Sequence, residues 1–396
     1  MKKVGLLIST LNSGGAERVV SRLSNLLKDE YKIYIILFED TYICYEYSGQ
    51  LINLNTKSKE NFINKIYNFA KRIIKMKGIK KKLDLDVVIS FLDTPNIINI
   101  LSKNKKCKTL VSIRNYSEAE KKVSMINRVT NYIIGNLYDK ADGIIPVSKV
   151  IKESLVNDYK LDEKKISVIY NPYNVNEINE LAKEEIRDEH KEFMNSNKIF
   201  ISVGRQMYQK GFWHLVKAFK LVHDKDKEVK LVIIGKDFQN RAVENLVREL
   251  GIEDSVLLVG YEKNPFKYMK NSSIYVLTSI FEGFPNSMVE ALSCGLPVIA
   301  ADCKSGPREI LCDKPNIKYV AKDIESASYG IIVPPLDKKE NWNSNYFDES
   351  DKILAKAMLN LIDDDELREI LSKKAIDRAK DFNFDLCKNK YQKIIK

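Results

Sequence analysis

Ile274-Tyr275-Val276-Leu277-Thr278 is followed by Ser279-Ile280-Phe281-Glu282-Gly283-Phe284-Pro285-Asn286, then Ser287-Met288-Val289-Glu290-Ala291-Leu292-Ser293-Cys294-Gly295-Leu296, then Pro297-Val298-Ile299-Ala300-Ala301. A β-branched run ends in a Gly/Pro loop, a helix opens near Ser287, and a second apolar run returns. That order is a strand, a crossover helix and a parallel strand. The same alternation extends in both directions. Towards the N-terminus, strands are expected at Lys3 to Ser9, Lys32 to Phe38, Val87 to Leu92, Thr109 to Ile113, Gly143 to Val147 and Ile166 to Tyr170. Around the quoted stretch they are expected at Ile199 to Gly204, Val229 to Gly235 and Val256 to Gly260 as well. The fold class is therefore α/β, with two doubly wound, Rossmann-like units. A length of 396 residues agrees with two middle-sized domains. The joint is placed at Asn171-Pro172, because proline closes a strand and the next stretch is charged and weakly patterned. This gives an N-terminal domain over 1–172 and a C-terminal domain over 173–380. The helical segment 381–396 is expected to cross back onto the first domain.

Ligands of open parallel sheets bind beyond the carboxyl ends of the strands, so two facing sheets imply a cleft. The residues after strands are thus the ones to read. In the quoted stretch Glu282 and Glu290 form an E-x7-E pair around a loop whose Gly283, Phe284, Asn286 and Ser287 amides lie at a helix start. Free amides there attract negative charge, and carboxylates accept hydrogen bonds from neutral hydroxyls, a combination suited to a sugar. The plainer reading makes Ser287 and Glu290 a capping box and leaves Glu282 solvated. After the strand Ile199 to Gly204 come Arg205 and Lys210, with Gly211 opening a helix. Two cations across one loop suit a diphosphate. After the first strand, Gly14-Gly15 opens a helix, where a ligand can approach the backbone closely. This is not GxGxxG, which lowers a dinucleotide-binding reading.

Together these residues resemble the retaining glycosyltransferases of family 4, which have the GT-B fold. The resemblance runs over nearly the whole chain: Gly14-Gly15-Ala16-Glu17-Arg18, Val203-Gly204-Arg205 through Lys210-Gly211, Glu282 to Glu290, Gly295-Leu296-Pro297-Val298, Ser305-Gly306-Pro307-Arg308-Glu309-Ile310, and Tyr329-Gly330 through Pro334-Pro335. It implies that Arg205 and Lys210 bind the diphosphate of a UDP-sugar and neutralise the leaving group. Glu282, with the amides of Gly283 and Phe284, would hold the transferred sugar. Pro285, Asn286 and Ser287 complete the donor loop, Glu290 would hold the ribose, and Tyr261 would lie near the base. Gly14 and Gly15 would approach the phosphates from the acceptor-side domain. The implied mechanism is front-face transfer, in which the departing phosphate takes the acceptor proton and no protein nucleophile is required. No Ser/His/Asp or Cys/His arrangement argues otherwise.

One departure concerns a histidine that many relatives carry on a loop of the N-terminal domain. All three histidines here, His190, His214 and His223, lie beyond residue 170. Arg114 and Asn115, after the strand Thr109 to Ile113, and Asp93, after Val87 to Leu92, are the acceptor-side candidates for that role. No metal and no cofactor are expected. Asp84-Leu85-Asp86 matches DxD literally but precedes a strand, the six cysteines contain no CxxC, and His214 reads as a packed or surface residue.

Charge is unevenly spread. Residues 1–170 hold 30 Lys and Arg against 18 Asp and Glu, and residues 171–396 hold 35 against 36. The basic excess of the first half implies an anionic partner. It is densest over Lys57 to Lys82, with ten Lys or Arg and one acid, Glu60. On a helical wheel Phe62, Ile63, Ile66, Tyr67, Phe69, Ile73, Ile74 and Met76 cover about half the circumference, with Lys65, Lys71, Arg72 and Lys75 filling much of the rest. An interfacial helix on an anionic inner membrane surface and a helix packed on its own sheet fit this pattern equally. Nucleic acid does not, for want of a stacking platform or a basic recognition helix. With no apolar run of about 18 residues and no signal peptide, a cytoplasmic protein, peripheral on the membrane, is expected. The expected activity is transfer of a hexose or N-acetylhexosamine to a lipid-diphosphate-linked glycan acceptor in surface polysaccharide or lipopolysaccharide biosynthesis. The alternatives are a sugar-nucleotide 2-epimerase and a non-catalytic nucleotide-sugar-binding protein.

Overall fold

A computed structural model describes the chain except for residues 13, 40–41, 57–61 and 115–134. It divides into two compact units, Met1–Pro172 together with Phe384–Lys396, and Tyr173–Asn383.

Unit 1 is built on β1 (Lys3–Ile8), β2 (Lys32–Leu37), β3 (Gln50–Asn53), β4 (Val87–Phe91), β5 (Lys108–Ile113) and β6 (Gly143–Pro146). They form a parallel sheet in the order β3-β2-β1-β4-β5-β6. Because successive strand side chains point to opposite faces, each strand feeds two cores. Val4, Leu6 and Ile8 of β1 join Ile33, Ile35 and Leu37 of β2 under helix α1 (Gly15–Leu27). Leu7, Tyr34 and Ile36 face the other way, against Met76 of α2 (Phe62–Lys82) and Ile98 of α3 (Asp93–Leu101). Burial on both faces explains why these strands are nearly continuous apolar runs. The helix Phe384–Ile395 places Cys387, Tyr391 and Ile395 in the α1 core, while Lys2 Nζ donates to the carbonyls of Ile395 and Lys396.

Unit 2 contains β7 (Ile199–Val203), β8 (Lys230–Ile234), β9 (Val256–Gly260), β10 (Ile274–Leu277), β11 (Val298–Ala301), β12 (Glu325–Ala327) and β13 (Gly330–Val333). The order is β12-β13-β11-β10-β7-β8-β9, and only the β12–β13 pair is antiparallel. The crossovers run outward from β7 in one direction and from β10 in the other. The switch point therefore lies between β7 and β10, and in unit 1 it lies between β1 and β4.

Two expectations are corrected. Ile166 to Tyr170 is not a strand: Ile166 makes one bridge to Ile144, and Ser167 and Ile169 donate to the carbonyls of Ile144 and Pro146. Pro146 has no N–H to return a bond, which stops the ladder there. The wheel of α2 also partitions differently. Arg72 and Lys75, expected on the solvated face, turn inward. Arg72 bonds the hydroxyl and carbonyl of Thr56 at 2.9 and 3.0 Å and lies over the Phe38 ring, and Lys75 reaches the carbonyl of Leu54. Lys80 is buried on the carbonyl of Asn99, and that burial pushes its pKa down to about 8. Met76, Phe69 and Ile73 pack inward as the wheel implies, but Ile66, Tyr67 and Ile74 are 58%, 63% and 72% exposed.

Candidate active site

The switch point of unit 2 gathers most of the residues singled out in this half of the sequence. Lys210 ends the 3₁₀ turn Tyr208–Lys210 after β7, and Glu282 sits on the loop after β10. Lys210 Nζ is 2.6 Å from Glu282 Oε1. Ser279 Oγ donates to the same oxygen at 2.7 Å, and Gln209 Nε2 donates to Oε2 at 3.3 Å and to the carbonyl of Phe281 at 3.0 Å. The two loops are further strapped by Ile280 N to Gln209 O at 2.8 Å and Thr278 Oγ1 to Lys210 O at 2.8 Å. A carboxylate that is 6% exposed is thus held by one cation and two neutral donors.

Glycines make this approach possible. Gly211 adopts φ +60°, and a Cβ there would lie 2.2 Å from the carbonyl oxygen of Thr278. The stem of Lys210 runs over Gly204, where a Cβ would meet Lys210 Cε at 2.8 Å. Arg205 follows on the same loop, is exposed, and has no ion-pair or side-chain hydrogen-bond partner among the described residues.

The Glu282 loop continues into the helix Asn286–Ser293, where Glu290 is buried. The capping box does not form: the helix has no side-chain cap, and Ser287 Oγ pairs with Tyr275 OH at 2.7 Å. Asn286 Oδ1 accepts from Tyr173 OH at 2.6 Å. Phe284 meets Phe382 edge to face, and Ser305 Oγ donates to the carbonyl of Gly283 at 2.6 Å. Gly306, at φ +97°, gives way to Pro285, whose Cδ would stand 2.3 Å from a Cβ. Tyr261 follows β9 and is half-exposed.

In unit 1, Gly14 and Gly15 open α1 after β1, with the Glu17 carboxylate standing where a Gly14 Cβ would be. Asp93 is exposed at the start of α3 and accepts a 3.4 Å hydrogen bond from Tyr138. Arg114 is buried rather than open, bonded to Asn171 and to Ser112 Oγ and lying over Phe91. Asn115 lies outside the described residues. Gln209, Ser279, Ser305 and Tyr173 were not singled out in the sequence. Gln209 adjoins Lys210, Ser279 stands three residues before Glu282, and Ser305 opens one of the segments that carry the resemblance; nothing in the sequence marked Tyr173.

His214 is fully buried. Its Nδ1 is 2.5 Å from Asp351 Oδ1 and its Nε2 is 2.9 Å from the carbonyl of Asp337. Both ring nitrogens face oxygens, an arrangement that favours the protonated ring beside Asp351, whose own carboxyl is pushed by burial above the usual carboxylate range. Burial alone would push its pKa down, but the Asp351 carboxylate and Asp337 carbonyl outweigh this and hold it above its ordinary value. Among the described residues, His214, Asp348 and Asp351 are the one group of such side chains close enough to share a metal ion.

Comparison with known proteins decides the family. A model of the Glycosyltransferase Family 4 domain matches residues 13–177, and one of Glycosyl transferases group 1 matches residues 182–332. A Campylobacter jejuni protein, N-acetylgalactosamine-N,N'-diacetylbacillosaminyl-diphospho-undecaprenol 4-alpha-N-acetylgalactosaminyltransferase, is 31% identical over 388 residues, covering 97% of this chain and 96% of its own. The chain belongs to the family 4 glycosyltransferases of GT-B type. An uncharacterised glycosyltransferase of Methanocaldococcus jannaschii is also 31% identical, over 89% of the enzyme and 91% of its own length. Among solved structures, the Thermosynechococcus elongatus sucrose-phosphate synthase superposes with a TM-score of 0.77 at 17% identity, covering 100% of the enzyme and 98% of that chain. Anabaena HepE, solved with UDP-glucose, gives a TM-score of 0.75 at 17% identity, over 100% and 99%. These two likenesses establish the fold, and the glycosyltransferase activity rests on the family.

Proposed function

We propose that this glycosyltransferase moves a hexose or N-acetylhexosamine from a UDP-sugar to a hydroxyl of a lipid-diphosphate-linked glycan, with retention of configuration and without a metal. The observation that carries the donor half is the juxtaposition of Lys210 and Glu282 at one switch point. It sets a cation for the diphosphate against a carboxylate for sugar hydroxyls. Arg205, on the rim of the same loop, adds the second cation. Charge developing on the departing diphosphate would meet groups already fixed in place, the arrangement that lowers a barrier most cheaply. Glu282 and Glu290 come from one loop-helix segment, whereas glycosidase chemistry flanks the sugar with carboxylates on opposite sides. That supports transfer assisted by the leaving phosphate rather than by a protein nucleophile. The acceptor class rests on the C. jejuni relative, whose substrate is a diphospho-undecaprenol glycan.

Incubation with a panel of sugar nucleotides and lipid-diphosphate acceptors, read by mass spectrometry, tests the proposal. A glycolipid one sugar larger, with the α or β linkage of the donor preserved, is expected. An epimerised donor without transfer would replace it with an isomerase.

Docking on an anionic leaflet is part of the same proposal. Among the described residues no helix is long and apolar enough to cross a membrane. The outward face of α2 instead carries Ile66, Tyr67 and Ile74, with Lys71, Lys77, Lys81 and Lys82 around them. Apolar side chains that insert and lysines that meet headgroups form a surface-binding combination. Flotation with anionic and neutral vesicles should show anionic preference that salt weakens, and equal, salt-insensitive binding would remove this part of the proposal.

A further inference from the structure

The ion pair that marks the site also raises a problem for any ligand that uses only half of it. Lys210 and Glu282 are each other's charge partner at 2.6 Å, with side chains only 16% and 8% exposed. A diphosphate that draws Lys210 Nζ away leaves Glu282 with Ser279 and Gln209, neutral donors, in a place that water reaches poorly. A buried carboxylate stripped of its cation is strongly unfavourable. The Lys210 stem lies against Gly204 and its turn is strapped to Thr278 and Ile280, so the end of the side chain alone turns from carboxylate to phosphate while Glu282 stays in place. Arg205 carries no such penalty, since it is exposed and unpaired among the described residues.

Resting on the donor reading above, we infer that the Lys210–Glu282 pair is a latch that makes the site distinguish an intact sugar nucleotide from the spent nucleoside diphosphate. The intact donor satisfies both ends: phosphate oxygens take Lys210, and sugar hydroxyls donate to Glu282. The spent nucleotide satisfies Lys210 alone and strands Glu282. The two halves of the donor are therefore coupled through the pair, and the coupling is reciprocal. Once the sugar has left, the nucleotide holds less well than its own contacts warrant, which favours its release.

Calorimetric titration with UDP, and with GDP for comparison, measures the effect without turnover. Glu282→Gln removes the stranded charge while keeping the shape of the side chain, so UDP should bind about tenfold more tightly than to the unaltered enzyme. A UDP-sugar should gain nothing. If Glu282→Gln does not fold, the unaltered enzyme still gives the answer. UDP affinity is measured with and without a saturating free hexose or N-acetylhexosamine, and a sugar that fills the Glu282 end should tighten UDP several-fold. Equal UDP affinities for both proteins, or, for the unaltered enzyme, no effect of any sugar, overturn the latch while leaving the donor site standing. No binding of any nucleoside diphosphate or sugar nucleotide removes the donor reading itself.

Discussion

At the switch point of unit 2, between β7 and β10, the buried Glu282 and Ser279 and the partly buried Lys210 and Gln209 are bonded to one another. At the switch point of unit 1, between β1 and β4, the loop after β1 offers two glycines, and the loop after β4 offers an exposed Asp93 on a long hydrogen bond. Leu92, just before Asp93, has φ +72°, a conformation a bulky residue adopts only when its surroundings impose it. The same topology thus carries a preset polar cluster in one unit and, among the described residues, a glycine-paired helix start with one exposed carboxylate in the other. A preset cluster suits a ligand whose charged part is always the same.

Substitutions sharpen the contrast. Glu282→Ala and Lys210→Ala should each lower turnover by about 10²-fold or more, on the order of 2.7 kcal/mol of transition-state stabilisation. Asp93→Ala should cost less than about tenfold, about 1.4 kcal/mol. Steady-state kinetics with the intact fold checked by circular dichroism decides, and equal losses at the two switch points would erase the distinction. Gly211→Ala should destabilise unit 2 by about 2 kcal/mol, combining a left-handed backbone with the clash on Thr278. A thermal midpoint unchanged from the parent would mean that the strap between the two loops is looser than the geometry indicates.

A smaller effect concerns His214, whose helix, Phe212–His223, begins right after Gly211. Its folded pKa is raised, so its contribution is complete below the ordinary histidine value, about 6.5, and fades as pH rises through the folded value. As pH rises above about 6.5 the parent should lose stability relative to His214→Gln in denaturant titrations. A parent that gains on the variant as pH rises would contradict the raised pKa of His214.

The sheets were legible in the sequence because strands buried on both faces are long apolar runs, and the Lys210 and Glu282 loops were legible because they follow such strands. β3 and β12 were not read as strands because they are only partly buried and carry polar residues, so they make no apolar run, and the short apolar β13 was not read either. The partition of α2 was hidden for a different reason. A helical wheel sorts residues by type, and here Arg72 and Lys80 find carbonyl and hydroxyl partners inside while Ile74 stays out. Gln209 and Ser279 escaped notice because neither is ionisable. Their importance comes from what they touch, and contacts across 70 or more residues, such as Gln209 with Glu282, leave no trace in local spacing.

The helix Phe384–Ile395 supplies Cys387, Tyr391 and Ile395 to the core of the first unit. During synthesis, the half that leaves the ribosome first must wait, one wall missing, until Phe384–Ile395 is made. Neither half can then be excised by a single cut, and a late frameshift or a trimmed tail would injure the beginning of the protein.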